Sequence, residues 1–178
     1  MPNKITNILD SIQANGGGAV FATVMQQVGT LPQGATPTRQ GKYLTKLMSA
    51  LEETCDAETI RHIMQPCGRL CLSNSTIAKA KGILHTTDDM ESFLSQLNAH
   101  HIGGGQLHTQ NGSIIGVYSH CYCGLGKHAP DLSPSYCHCS AGWYERLFSC
   151  VFPDKAVIST LLQSRLSGAE DCRFRIDL

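Results

Sequence analysis

Gln106-Leu107-His108-Thr109-Gln110-Asn111-Gly112-Ser113-Ile114-Ile115-Gly116-Val117-Tyr118-Ser119 is the stretch at which this chain changes character. Asn-Gly between two extended-type runs is a strong hairpin signal, because both central residues of a type I′ turn need positive φ. The stretch predicts strand over 106–110, a two-residue turn at Asn111-Gly112, and strand over 113–119. Before it the chain reads as helix. After it, sheet and one helix share the sequence.

Toward the N-terminus, Ile5, Ile8, Leu9 and Ile12 recur at helical spacing. Asn15-Gly16-Gly17-Gly18 breaks the run, and Val20, Val24 and Val28 resume it, so residues 4–28 predict an interrupted helix. Thr36 or Thr38 caps a helix over roughly 39–53 that carries Tyr43, Leu44, Leu47, Met48 and Leu51. Asp56 caps another from Ala57 to about Gln65, where Pro66 interrupts it or starts a continuation. Thr87 or Asp88 opens a helix through Met90, Phe93, Leu94 and Leu97. Asp88, Asp89 and Glu91 read as first-turn charge that suits the helix dipole, not as a catalytic pair.

Beyond the hairpin, Ala141 to Val151 predicts a helix and Ala156 to Leu166 a strand. Cys172, Phe174 and Ile176 alternate with Arg173, Arg175 and Asp177, the pattern of a half-buried strand. Helices first, then an antiparallel sheet with an inserted helix, is the α+β class: N-terminal helices packed on a C-terminal sheet. The division is a helical region, 1–85, and a cysteine-rich α+β region, 86–178, within one domain. Strand order is left open.

The 178 residues carry 14 basic and 14 acidic side chains, a formal charge of zero. Such a chain lacks the electrostatic footprint of a nucleic-acid binder and a polybasic membrane anchor. Met1 to Asp10 shows no apolar run behind positive charge, so neither a signal peptide nor a membrane span is expected. Nine cysteines then point to the reducing cytoplasm, where clustered thiols bind metal or do redox chemistry. A homo-oligomer is compatible with everything in the sequence.

The thiols concentrate in two motifs, His120-Cys121-Tyr122-Cys123-Gly124 and Tyr136-Cys137-His138-Cys139-Ser140. Cys121, Cys123, Cys137 and Cys139 could close a tetrahedron round Zn²⁺ or hold an iron–sulfur unit. The competing readings are a redox disulfide and small buried hydrophobes. Cys67 and Cys71, four apart, share one face if helical and could complete a site with either motif. His120 and His138 alternate in direction from the cysteines on an extended chain, and serve better as co-ligands if the segments are turns. Gly103-Gly104-Gly105 follows a helix and precedes a strand, the reverse of a phosphate loop. A nucleophile elbow is absent from the sequence, and no residue is assignable as catalytic.

Cys137-x-Cys139-Ser140-Ala141-Gly142-Trp143, the strand region Val157 to Leu166, Gly168, and Cys172-Arg173-Phe174-x-Ile176 together resemble the end of 4-vinyl reductase-type, or hydrocarbon-binding, domains. The closing strand is also similar to that of the aminothiazoline-carboxylate hydrolase family. The helical half, with Cys67-Gly68-Arg69-Leu70-Cys71, looks more like prokaryotic cysteine-rich proteins of unknown function. The resemblance implies a small cytoplasmic α+β ligand-binding fold in which clustered cysteines form a metal site. It transfers no catalytic residue.

Two function classes follow. One is a zinc-stabilised protein, or an iron–sulfur one, that binds a small apolar molecule in a pocket lined by Trp143, Tyr144, Phe148 and Phe174; taken singly, each of these aromatics reads as core. The other is an enzyme in which metal-activated water opens a cyclic amide or thiazoline. Thiol redox chemistry is a third, weaker reading.

Overall fold

In the computed structural model, which describes residues 4–178, the N-terminal helix is interrupted where expected: Gly17, with φ of 86° and ψ of 165°, leaves helical space. Helix α1 (Lys4–Ser11) passes through one π turn, Ile12–Gly16, into α2 (Gly17–Val28). The bend is tied down by Ser11, whose hydroxyl donates to the Ile63 carbonyl at 2.6 Å. Helix α3 (Pro37–Thr54) is capped by Thr36, which accepts from the Arg39 N–H. Asp56 likewise caps α4 (Ala57–Cys71) through the Thr59 N–H.

Pro66 neither ends nor restarts α4, which continues to Cys71. The lost backbone hydrogen bond is outweighed by packing, because this half of α4 lies against the longest C-terminal helix. Helix α5 (Asn74–Leu84) has no counterpart in the sequence reading; its buried face is Ala80 and Ile83, too thin an apolar stripe to show as a period. Helix α6 (Met90–Ala99) starts one or two residues later than expected. Asp89 is its cap, accepting from the Ser92 N–H at 2.7 Å.

Strands β1 (His108–Gln110) and β2 (Ser113–Tyr118) form the expected hairpin. Asn111 and Gly112 have φ of 51° and 81°, as a type I′ turn requires. After a long irregular stretch come α7 (His138–Val151), β3 (Ile158–Gln163) and β4 (Cys172–Asp177). The sheet order is β1-β2-β4-β3, antiparallel throughout. The last strand is therefore central, and its alternation is as expected: Cys172, Phe174 and Ile176 buried, Arg173 and Arg175 exposed. The fold is α+β.

Apolar side chains gather in two cores. One lies between the sheet and α5, α6 and α7, around Phe93, Leu97, Tyr144, Phe148 and Phe174. The other joins α1 to α4, around Ile12, Leu47, Leu51, Ile63 and Met64. Neither respects the division at 85/86. Leu72, Ala80 and Ile83 belong to the sheet-side core, whereas Leu125, Leu132 and Tyr136 belong to the helical one. The seam between them is the crossing of α4 and α7. There Gly68 faces the Cys139 carbonyl and Gly142 faces the Gln65 carbonyl, each with no room for a Cβ. Among the described residues no helix is long and apolar enough to cross a membrane.

Candidate functional site: a thiol-lined cavity

The α4–α7 seam brings cysteines together from five places in the chain. Helical spacing sets Cys67 and Cys71 on one side of α4. Cys121 and Cys123 sit in the irregular stretch after β2, Cys137 closes a 3₁₀ turn, Cys139 is in the first turn of α7, and Cys172 opens β4. All seven line one cavity of about 340 Å³, with Lys4, His101, Tyr118, Tyr122 and Trp143 also on its wall. Cys55 and Cys150 lie elsewhere. None of the nine cysteines is in a disulfide.

Within the cavity the second Cys-x-Cys motif splits its sulfurs between two groups, Cys139 in one and Cys137 in the other. The first group surrounds Lys4. The Lys4 ammonium lies 3.5 Å from the Cys123 sulfur, and the Tyr136 hydroxyl 3.1 Å from it; the Gly126 N–H donates to it at 3.4 Å. Burial opposes ionisation of Cys123, yet the hydroxyl, the N–H and the ammonium together hold its pKa below the ordinary thiol value. Cys71 and Cys139 also act electrostatically on Lys4, and Cys67 and Cys71 on Cys139. Burial pushes the Cys67 thiol up to about 11 and raises Cys139 as well. These sulfurs resist ionising alone; a cation among them would reverse that cost.

The second group is Cys137 with Cys172. Their mutual interaction lowers the pKa of Cys172 and raises that of Cys137. The Ser164 hydroxyl lies 3.1 Å from Cys137, and the Arg165 N–H donates to Cys172 at 3.3 Å. Cys121 stands between the groups, under the influence of Cys123 and Cys172. Among the described residues, no three His, Cys, Asp or Glu side chains already stand at metal-binding separation.

The other expected site residues divide. Trp143 is on the cavity wall. Tyr144, Phe148 and Phe174 are fully buried in the sheet-side core, where the Tyr144 hydroxyl donates to the Gly103 carbonyl at 2.9 Å. One helical step turns about 100°, so neighbouring aromatics on α7 face different spaces. His120 is exposed, its ring 4.2 Å from that of Tyr122. His138 is half-buried beside Arg61 and Glu58, where burial first, then the guanidinium, lowers its pKa. Neither lines the cavity; His101 does. The triple glycine forms a short turn, and at Gly104 an added Cβ would meet the Tyr118 ring. Lys4 and Cys172 were missed as site residues. No spacing rule links them to the motifs, although Lys4 was recoverable as a basic residue opening an apolar helix.

Tyr136 gives a test of the Cys123 environment. In reduced, metal-free protein, Tyr136→Phe removes a donor to a thiolate and should slow alkylation of Cys123 at neutral pH by about tenfold. Peptide-resolved iodoacetamide kinetics measures this, and an unchanged rate would show that the hydroxyl does not support the thiolate.

Among curated proteins none matches the chain. A family model does, over residues 3–178, and it spans both cores and all seven cysteines of the cavity. The chain thus belongs to DUF6144, a family of unknown function.

Proposed function

We propose that this protein binds a thiophilic metal ion, zinc, in the cavity beside the α4–α7 seam, and that the remaining space takes a small apolar molecule. The observation that carries the reading is the gathering of seven of nine cysteines on one cavity wall. The ligand set we favour is Cys67, Cys71, Cys123 and Cys139, not the two intact Cys-x-Cys motifs, because Cys71, Cys123 and Cys139 all act electrostatically on Lys4 and Cys67 acts on Cys139. Loading requires the thiols to rotate inward and release protons. Cys123 is already biased toward the thiolate, and Zn²⁺ offsets the cost of ionising the others. The ammonium would then balance part of the excess negative charge of a four-thiolate site.

An iron–sulfur cluster is the second reading. It is favoured by the cavity's size and by the three thiols left over. The apolar-ligand part rests on the walls of Tyr118, Tyr122 and Trp143, together with the resemblance to hydrocarbon-binding domains. Hydrolysis would need a proton carrier at the wall. His101 holds that position, and His120 and His138 do not.

Elemental analysis of anaerobically purified protein tests the reading. The expected result is about one zinc per chain in a closed sulfur site. Iron with acid-labile sulfide would replace zinc by the cluster. No metal, with every thiol alkylated under native conditions, would end the metal reading.

A further inference from the structure

Three residues on the cavity wall are exposed and mark its mouth: Cys71 at the end of α4, His101 after α6, and Tyr122 after β2. Tyr122 is 51% exposed, so its ring stands half in solvent and half over the cavity. It packs edge-on against the Tyr118 ring at 5.2 Å, with the His120 ring at 4.2 Å. Its hydroxyl reaches the triple-glycine turn and donates to the Gly104 carbonyl at 3.3 Å, long for an O–H···O bond. The turn is the fixed side of this contact. The Tyr144 hydroxyl holds the Gly103 carbonyl at 2.9 Å, and the Asn98 side chain holds both the N–H and the carbonyl of Leu107. The stretch carrying Tyr122 is held only at its ends. The Ser119 carbonyl accepts from Arg165 at 3.2 Å and the Cys123 carbonyl from the Lys127 N–H at 3.2 Å. Between them His120, Cys121 and Tyr122 lie outside any helix or strand and, among the described residues, enter no backbone–backbone hydrogen bond. Such a segment opens locally at low cost.

We propose that the Tyr122 side chain is a gate on the thiol-lined cavity, latched by its hydroxyl on the Gly104 carbonyl, and that release of this bond lets residues 120–122 swing outward and admit a metal ion or small apolar molecule. The gate's use as an entry control rests on the reading of the cavity as a ligand site. Its mechanics do not. One long hydrogen bond and two ring contacts hold the gate shut, so closure is favoured yet readily reversed. The frame on either side stays in place when the gate opens. Beyond Cys123 the chain is tied to α3, where the Thr45 hydroxyl donates to the Pro130 carbonyl at 2.6 Å and Gly41 lies against the His128 carbonyl. Closure shields the sulfurs behind it from water and from large reagents.

The experiment follows alkylation of single thiols by N-ethylmaleimide, peptide by peptide, in the reduced full-length chain with and without chelator. Cys172 is the reporter. It is 5% exposed, lies on the cavity wall, pairs in register with Tyr118, and is outside the ligand set proposed above. Cys150, which does not line the cavity, is the control. Tyr122→Phe keeps the ring and loses only the latch, so Cys172 should react about three- to tenfold faster than in the unsubstituted protein. Tyr122→Ala also loses the ring contacts, and the acceleration should be at least about tenfold. Cys150 should keep its rate in both variants. A Cys172 rate unchanged in Tyr122→Phe would overturn the inference. So would an equal rise at Cys150, which would mean that the whole molecule had loosened. Tyr122→Phe decides the matter even if Tyr122→Ala fails to fold. A chain without metal that still shows the acceleration would sink the metal reading and leave the gate standing; full metal content with unchanged Cys172 rates would do the reverse.

Discussion

Gly142→Ala is expected to cost about 3 kcal/mol of stability, at the upper end for overpacking, and Gly68→Ala a similar amount. In both cases the added Cβ meets a main-chain carbonyl of the partner helix, Gln65 for Gly142 and Cys139 for Gly68. A carbonyl of a packed helix cannot rotate away as the end of a flexible side chain can, so α4 and α7 must separate. Separation would also open the cavity, because Cys67 and Cys71 ride on α4 and Cys139 on α7. Metal content should fall with stability. Gly82→Ala is the control: its Cβ would meet nothing within 4 Å on α5, so it should stabilise by up to about 1 kcal/mol. Urea unfolding of the three variants measures this. A Gly142→Ala midpoint equal to that of the unsubstituted protein would show that the helices do not cross so closely.

The second large effect concerns the metal. Cys139→Ser should lower the stability of the loaded protein by several kcal/mol, since metal binding is folding free energy on the order of 10 kcal/mol in small structural zinc sites. With chelator present the unsubstituted protein should fall nearly to the level of the variant. Cys150→Ser, off the cavity wall, should change stability by less than about 1 kcal/mol with or without chelator. Thermal unfolding in the presence and absence of chelator reads both. A Cys139→Ser loss that persists undiminished in chelator would mean that the sulfur matters for packing alone.

Local chemistry made much of the fold legible. Asn111-Gly112 placed the hairpin, Asp56 placed one helix start, Thr36 or Thr38 placed another to within about two residues, and the alternation of Cys172 to Asp177 placed the closing strand. The failures have physical causes. Helix α5 buries only Ala80 and Ile83, leaving little periodicity to see. At Pro66 a local rule lost to tertiary packing against α7. Strand order rests on non-local pairing, which the hairpin signal does not reach. The thiol density was visible, but its partition was not. Alternate residues of a Cys-x-Cys motif point apart on a strand and anywhere in an irregular loop, so only the folded chain could set Cys123 beside Lys4 and Cys137 beside Ser164. Trp143 and Tyr144 show the same limit, because a helical pattern marks a buried face without saying whether core or cavity lies against it.

X-ray absorption at the metal edge of the anaerobically purified protein tests the central claim most directly. The account predicts zinc with four sulfur scatterers at about 2.3 Å, and loss of one sulfur or of the ion in Cys139→Ser. A first shell of nitrogen and oxygen, or a sulfur shell left intact when Cys71, Cys123 or Cys139 is replaced by serine, would contradict it.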